Sequence, residues 1–352
     1  MNKINQTIAK MIRNRQSKKS LGFGRAITIM VIVNLLLLIT TLFACSLLLS
    51  SCLKEDMSNC PEQIRVYFAF TDIHTLTGEG YPIDPDDVDQ MHLYVFSDKG
   101  YYLCEYRDDR IINFSDEYYI DCSDLLPGKY RFIAWGGKDE NCYSTTPAPF
   151  EKNKTNFDEA LLMLKRAGGN VATPHHLFHS DLPATVTYAK IQRFDMPLLQ
   201  LTNTINIRTI GLPADADDYR FNITDNNDDY TFDGLFATSV SDPTFTYTTP
   251  CTKDKAGQLN ATLRVLRLAE YRHKPKLQIY NETAGTLFFP TGMYSNDLIW
   301  MIQNAYPEND FDTTHIYDIV LVFGNGDNST GFTFTIFING WQVREQDGDL
   351  TE

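Results

Sequence analysis

The sequence is poor in cysteine, and the few cysteines that it has are far apart. Its 352 residues include seven cysteines, of which no two form a Cys-x-x-Cys pair. A zinc ribbon or a disulfide-dense scaffold needs closely spaced cysteines, so neither is indicated. One or two disulfide bonds remain compatible with the sequence if the protein works outside the cytoplasm.

Sequence motifs of nucleophilic and nucleotide chemistry are absent as well. The chain has neither a Gly-x-Ser-x-Gly elbow nor a glycine-rich phosphate loop. Its scattered carboxylates still allow a glycosidase pair, because such pairs are defined by their spacing in the fold and not in the sequence. We therefore predict a protein that is not an enzyme and binds no cofactor, and a hydrolase is the weakest alternative.

Acidic residues are missing from the first 51 positions. This leader holds seven basic residues and then a long apolar run, Ala26–Leu49. Such an order is typical of the n-region and h-region of a signal peptide. The run is also long enough to remain in a bilayer as an uncleaved anchor, which is the alternative. An internal start at Met11 or Met30 would shorten the leader without changing the predicted location.

The end of the apolar run predicts a lipoprotein processing site. Leu49-Ser50-Ser51-Cys52 fits a lipoprotein signal peptidase, which would leave acylated Cys52 as the first mature residue. Lys54-Glu55-Asp56 follow at once and resemble the Lys-acidic-acidic tag that exports Bacteroidetes lipoproteins to the outer cell surface. Cys45, after Leu42-Phe43-Ala44, fits a looser version of the pattern but lacks such a tag. We therefore predict lipidation at Cys52 and export to the cell surface through the tag.

The mature chain is strongly acidic. The full sequence has 31 basic and 45 acidic residues, and seven of the basic ones lie in the leader, which leaves a net charge of −21 for residues 52–352. Binding to nucleic acid needs a cationic face that displaces counterions, so nucleic acid is not expected as a partner. A negative field suits a soluble domain displayed beside an anionic envelope, and simple solubility explains it equally well.

Strand patterns fill most of the mature chain. Apolar residues alternate with others along Ile64–Phe70, the period of two that places one row of side chains on a core. Met91–Phe96 and Tyr101–Tyr106 flank the turn residues Ser97–Gly100, which predicts a hairpin. Further predicted strands are Lys129–Trp135, Thr202–Ile210, Ala261–Leu268, Ile316–Phe323 and Gly331–Ile338.

One segment predicts a short helix. Asn156 is a favourable N-cap with the acidic Glu159 three residues later. Ala160–Arg166 are good helix formers, and Gly168-Gly169 supply a stop signal. We therefore predict one helix in the first half of the mature chain.

The pattern of elements predicts an all-β protein. Many short strands with Gly, Pro and Asp turns are typical of antiparallel β-sandwiches rather than of a parallel α/β sheet. About 300 mature residues exceed what one small core usually serves, so we predict two sandwich domains in tandem, with the short helix in the first. The predicted organisation is a signal peptide over residues 1–51, a lipidated tether over 52–62, an N-terminal sandwich over 63–198 and a C-terminal sandwich over 199–352.

Three segments of the chain resemble one family. They are the opening Cys52–Pro61 followed by Ile64–Phe68, the segment Leu126–Gly137, and Leu201–Ile205 at the start of the second half. Together they resemble the FimB-type fimbrial anchor and minor-subunit family of Bacteroidales, and the resemblance covers essentially the whole mature chain. It implies two transthyretin-like β-sandwich domains in a pilus protein that is tethered to the outer membrane by its lipid.

The resemblance also implies a role. It implies a base anchor, a length terminator or a minor accessory subunit of a fimbrium, with shaft or accessory subunits as partners and a surface position on the cell outer membrane. Subunits of such fimbriae are similar to donor-strand systems, in which a strand from a neighbour fills the open edge of an incomplete sandwich. The alternative is a surface glycan-binding lipoprotein, and the identity of any host ligand stays open.

Two polar clusters are weighed as metal sites. His175, His176 and His179 would suit a metal only on a helix, and the preceding Pro174 disfavours one, so a loop or edge strand is the preferred interpretation. Asp225–Asp229 resembles the start of a calcium loop but lacks the glycine and the final glutamate that such loops contain, which favours a solvated acidic turn. We therefore predict no metal site.

Overall fold

The structure is a computed structural model. It describes the residue ranges 63–70, 88–115, 117–171, 173–212, 219–227, 229–237, 244–269, 274–289, 296–325 and 332–343. Contacts group Pro61–Glu352 into one compact unit, and every described strand and helix belongs to it.

The described residues form 21 strands and one α-helix. In the first half the strands are β1 (Gln63–Phe70), β2 (Met91–Ser97), β3 (Tyr102–Asp108), β4 (Tyr119–Asp121), β5 (Gly128–Gly136), β6 (Tyr143–Thr146), β7 (Leu161–Leu164), β8 (Asn170–Val171), β9 (Phe178–Val186) and β10 (Ile191–Gln200). In the second half the elements are β11 (Thr202–Ile210), β12 (Tyr219–Asp225), β13 (Asp229–Thr231), β14 (Phe245–Pro250), β15 (Thr252–Lys253), β16 (Leu259–Leu266), β17 (Lys276–Asn281), β18 (Thr286–Phe289), α1 (Leu298–Ala305), β19 (Ile316–Asn325), β20 (Phe332–Ile338) and β21 (Trp341–Gln342).

The first sandwich is a seven-stranded sheet that folds over on itself. Its strand order is β3-β2-β5-β9-β10-β1-β4, and two residue pairs, at Leu199 and Gln200 of β10, join β10 to β9. Buried and half-buried residues alternate along most of β1, and Val66 shares one core with Val95 of β2 and Phe132 of β5. Burial of such side chains, worth about 1.5–3 kcal/mol each, holds the two layers together.

The second sandwich consists of two separate sheets. Their strand orders are β15-β16-β11-β19-β20-β21 and β18-β17-β12-β14-β8. Ile205 of β11 belongs to the same core as Phe221 of β12 and Ile279 of β17, so side chains from both sheets meet. Helix α1 begins after Asp297, whose carboxylate accepts the backbone N–H of Trp300, and it buries its apolar residues in this core.

A three-stranded sheet of order β13-β7-β6 connects the halves. In it β13 of the second half pairs antiparallel with β7 of the first half. A second link is the parallel pair of β8, from the first half, with β14 in the five-stranded sheet. Tyr94 of β2 contacts Phe232, just after β13, and Trp135 of β5 contacts Tyr230 within β13. Leu198 lies in the first core and Leu201 in the second, and the domain boundary between 198 and 199 stays a prediction.

The predicted all-β fold is confirmed, and its strands appear with bounds shifted by at most a few residues. The hairpin of β2 and β3 pairs antiparallel, with Gly100 at a φ of 81° that suits glycine. Three pairs are parallel, namely β1 with β10, β11 with β19 and β8 with β14, although the sequence predicts antiparallel sheets. Side chains alternate across a strand with the same period in both arrangements, so the pattern does not distinguish them.

The helix predicted after Asn156 is present as a single turn of 3-10 helix. The Asn156 side chain accepts the N–H of Asp158 as an N-cap should, but the turn comprises only Phe157–Glu159. The chain then continues as strand β7, which pairs with β6 on one side and β13 on the other. Pairing on both edges and burial of Leu162 outweigh the small intrinsic preference of this segment for helix.

Candidate functional site

The predicted lipidation site and export tag lie outside the described residues. This applies to Cys52, to Lys54-Glu55-Asp56 and to the apolar leader. In the described ranges, no helix is long and apolar enough to cross a bilayer. Processing at Cys52 and surface export therefore stay predictions, and the described part of the chain begins where the tether enters β1 at Gln63.

The three predicted histidines do not converge on one point. His175 and His176 lie in the loop before β9, where His176 Nδ1 is 3.2 Å from Thr202 Oγ1. His179 lies within β9, which has β5 and β10 as neighbours and is not an edge strand. Its Nε2–H donates to the carbonyl of Phe232 at 3.0 Å. The histidines therefore serve three separate local contacts.

One cluster among the described residues unites three kinds of metal-ligating side chain. The ligand atoms of Asp139, Cys142 and His175 lie within 4.8 Å of one another. Cys142 Sγ donates to Asp139 Oδ2 at 3.7 Å, and His175 Nε2 lies 3.5 Å from the same oxygen. Burial raises the pKa of the Cys142 thiol. A protonated thiol bonded to a carboxylate is therefore the state that this arrangement favours at neutral pH.

The acidic segment 225–229 is not the solvated turn that the sequence predicts. Asp225 is the last residue of β12 and is 1 % exposed, and Asp229 begins β13 and is also buried. The cause is strand register, because burial alternates along β12 and places Asp225 on the same side as Phe221 and Ile223. The Asp225 carboxylate accepts the backbone N–H of Asn226.

Phe232, just after β13, is the apolar centre of the junction between the two halves. Its side chain is fully buried, and its ring lies 5.1–5.9 Å, centroid to centroid, from Tyr94, Phe96, Trp135 and Phe150 of the first half. Aromatic pairs at such distances contribute about 0.5–1.5 kcal/mol each beyond the burial of their area. One residue of the second half is thus anchored by four of the first.

A polar contact crosses the same junction. It is the hydrogen bond from His179 of the first half to the carbonyl of Phe232 in the second half, at 3.0 Å. Within the second half, the Tyr230 hydroxyl donates to the carbonyl of Leu201 at 2.8 Å and accepts the N–H of Arg267 at 2.9 Å. Because a buried polar group without a partner is costly, the bond from His179 favours the arrangement of the halves in which it forms.

A cleft of about 620 Å³ opens beside this junction. Phe236 and Phe311 form apolar walls, and Arg267, which is buried, pairs with Asp312 at 3.1 Å. Further carboxylates line the cleft, so its net charge is negative and it suits a small neutral polar ligand better than an anion. Glycan binding, the alternative function, stays a prediction.

The sheet edges within the described ranges are mostly short or covered. The outer edge of β3 is covered near Tyr102. The backbone N–H of Tyr102 donates to the carbonyl of Thr155, and the Tyr102 carbonyl accepts the N–H of Asn153. Strands β4, β8, β15 and β21 contain two or three residues each. One side of β20 pairs with β19. On its other side, β21 and Val343 form hydrogen-bonded pairs with the segment Ile336–Ile338 only, and no described strand lies beside Phe332–Thr335. Open edges are where a strand from another chain can add.

We expect three histidines, the buried His179 and His315 and the half-buried His176, to make the fold sensitive to acid. Burial lowers the pKa of His176 to about 3 and the pKa values of His179 and His315 to about 4. The unfolded chain takes up these protons below about pH 6.5, whereas the folded protein does so only near pH 4 and below. The free energy of unfolding should therefore be highest above pH 6.5 and should decrease toward pH 4, by up to about 1.4 kcal/mol per pH unit for each histidine.

Urea unfolding at a series of pH values from 7 to 4 measures this slope. His179→Gln keeps a donor for the Phe232 carbonyl but removes the titrating group. In this variant the free energy of unfolding should therefore decrease less steeply with falling pH, by the contribution of one histidine. A slope unchanged by this substitution would contradict the assignment of His179.

The chain resembles known proteins from just before its first described strand to just after its last one. A family model described as fimbrillin-A associated anchor proteins Mfa1 and Mfa2 matches residues 57–347. A search of curated proteins finds no match. The match therefore spans the described fold from β1 to β21.

Solved structures with the same fold come from Porphyromonas and Bacteroides species. The fimbrial anchor protein Mfa2 from Porphyromonas gingivalis has a TM-score of 0.64 and 19% identity over 82% of this chain and 100% of that chain. A putative polysaccharide binding protein from Bacteroides thetaiotaomicron has a TM-score of 0.64 and 20% identity over 81% and 98%. A putative adhesin from Bacteroides ovatus has a TM-score of 0.64 and 16% identity over 81% and 97%. At these identities the likeness establishes the fold.

Proposed function

Because the chain belongs to the family of fimbrillin-A associated anchor proteins, we propose that it is the base anchor or terminator of a fimbrium, held in the outer membrane by lipid on Cys52. A minor accessory subunit is the variant of this role that differs only in position along the filament. The observation that carries the proposal is the family match over residues 57–347, which begins directly after a lipoprotein processing pattern.

The direction of the chain supports an anchor. The tether enters β1 at Gln63, and β10 runs parallel to β1 and then continues into β11 of the second half. A strand of ten residues is about 33 Å long. The tether enters at one end of the first sandwich, and the second half therefore begins at the opposite end. Lipid at Cys52 and a partner subunit at the second half would therefore not compete for space.

Contact with the next subunit is proposed to occur by strand addition. An extended segment that pairs with an open edge gains backbone hydrogen bonds and places alternate side chains in pockets. The stretch Phe332–Thr335 of β20 has the position for such pairing, because β21 and Val343 cover only the end of that strand among the described residues. Shaft or accessory subunits of the fimbrium are the proposed donors.

We expect Cys52→Ala to abolish fatty-acid incorporation and to release fimbriae from the cells. Without its acyl chains the protein loses the apolar group that holds it in the bilayer, each buried CH₂ contributing about 0.8 kcal/mol. Labelled palmitate measures the lipid, and electron microscopy of cells and medium measures where the filaments are.

Cys45→Ala is the matched control, because this cysteine follows the looser processing pattern. It should leave both labelling and attachment unchanged. If labelling survives Cys52→Ala and is lost in Cys45→Ala, the processing site is at Cys45. If deletion of the gene leaves filaments attached and of ordinary length, the anchor role is wrong.

A further inference from the structure

Three strongly exposed apolar side chains lie at the end of the first sandwich where the tether enters. Leu126 and Ile191 are each 71% exposed, and Tyr188 is 67% exposed. Ile191 pairs with Gln63, the first residue of β1. Leu126 lies two residues before β5 and Tyr188 two residues after β9, and these two strand ends pair with each other. The three side chains therefore belong to one end of the sheet, which we call the tether end.

The turns that present these side chains are ordered. Thr187 donates through its backbone N–H and its hydroxyl to Gln192 Oε1, and Gln192 Nε2 donates back to the Thr187 carbonyl at 3.0 Å. The Tyr130 hydroxyl donates to the Leu126 carbonyl at 2.6 Å. A surface that is already ordered loses little conformational entropy when it binds.

Two lysines lie beside these apolar side chains. Lys129 and Lys190 belong to the segments 125–130 and 186–193, which contain no acidic residue. Arg193 pairs with Asp195, and Asp121 at the end of β4 and Asp124 before β5 lie nearby on the chain. Basic residues beside exposed aliphatic and tyrosine side chains are typical of surfaces that rest on anionic bilayers. In a mature chain whose net charge is −21, these two lysines are the groups of this end that an anionic membrane attracts.

The length of the tether keeps this end near the lipid. Ten residues separate Cys52 from Gln63, and they can span at most about 35 Å. We infer that the tether end rests on the outer membrane, with Leu126, Tyr188 and Ile191 at the headgroup level and Lys129 and Lys190 at lipid phosphates. This inference depends on the lipid anchor at Cys52 that the proposed function includes.

The test measures contact between the bilayer and single positions of the lipidated protein. Tyr188→Trp adds a fluorophore at the tether end, and Leu287→Trp adds one at an exposed position of the second half. Both variants, purified with their lipid, are reconstituted into vesicles of equal parts phosphatidylethanolamine and phosphatidylglycerol with brominated chains. The emission of each is compared with that of the unmodified lipidated protein, which carries only the three native tryptophans.

Bromine quenches tryptophan only at short range, so we expect the added emission to be quenched several-fold more at position 188 than at position 287. Equal quenching at both positions, or none at 188, overturns the inference. Lipid on Cys52 is measured separately by palmitate labelling. Labelled, vesicle-bound protein without quenching at 188 therefore refutes the membrane-resting surface while the anchor stands, whereas absence of label refutes the anchor itself.

Charge reversal tests the basic part of the surface. Lys129→Glu combined with Lys190→Glu, in the Tyr188→Trp background, should remove most of the quenching. The control pair is Lys255→Glu with Lys276→Glu, two exposed lysines of the second half, which produces the same change in net charge and should leave quenching unaltered. A loss of the same size in both pairs would show a general charge effect and would overturn the role of Lys129 and Lys190.

Discussion

Phe232→Ala should lower the free energy of unfolding by about 3–5 kcal/mol, the range for deletion of a buried aromatic side chain. Phe232 is fully buried, and the four rings around it come from the first half of the fold. Rings held on two separate strands and a loop do not collapse easily into the space that is left, so a cavity should remain. Urea unfolding followed by circular dichroism measures the loss.

Phe236→Ala is the matched control, since Phe236 follows the same strand but is only partly buried. Its expected loss is smaller because fewer contacts and less area are removed. If Phe232→Ala costs no more than Phe236→Ala, the junction does not depend on Phe232. Two separate transitions in Phe232→Ala, against one in the unmodified protein, would show that this residue couples the two halves.

Gly211→Ala should destabilise the fold by about 2–5 kcal/mol, because a left-handed residue costs about 1–2 kcal/mol and overpacking about 1–3 kcal/mol. Gly211, just after β11, has a φ of 79°, and a Cβ there would lie 2.2 Å from the carbonyl oxygen of Phe323 in β19. The obstacle is backbone, so it cannot rotate away as a side chain does. Thermal unfolding together with urea titration measures the effect.

Gly340→Ala separates the two contributions. Gly340 has a φ of 82° but no heavy atom within 4 Å of the added Cβ, so it should cost only the left-handed conformation, about 1–2 kcal/mol. A loss at Gly211 equal to that at Gly340 would mean that β11 and β19 do not approach as closely as the structure has them.

Strands with a solvent side and a core side can be predicted from the sequence. In β1 the alternation that predicts the strand is the alternation that the core requires, and the β2–β3 hairpin has its turn residues between two such runs. The partner of each strand cannot be predicted in this way. Nothing in the side chains of β1 distinguishes β10, more than 120 residues later, from a closer strand.

The junction could not be predicted because its residues lack a period. Phe232 follows a strand of only three residues, and its environment comes from β2, β5 and the segment at Phe150. The helix signal after Asn156 failed for a related reason, since local preference is weaker than pairing with a distant strand. An aromatic residue followed by Asp233-Gly234 in a short loop was the one available signal.

The candidate site divides in the same way. The proposed processing site at Cys52 and its tag are linear patterns, which do not depend on the fold and can therefore be predicted from the sequence alone. The tether end exists only through register, because Leu126, Tyr188 and Ile191 are brought together by the pairing of β5, β9, β10 and β1. Which sheet edges remain open to another strand likewise depends on which strands of the fold pair with each other.

The parallel pairing of β1 with β10 determines how the protein would bear mechanical load. If, as proposed, a filament pulls on the second half while lipid on Cys52 holds the tether, the load enters β10 at its last residue and β1 at its first. Two parallel strands pulled in this way slide past each other, so that the eight residue pairs from Gln63 with Ile191 to Phe70 with Leu198 share the force together. Antiparallel neighbours pulled at adjacent ends would instead open pair by pair, like a zipper, and yield at far lower tension.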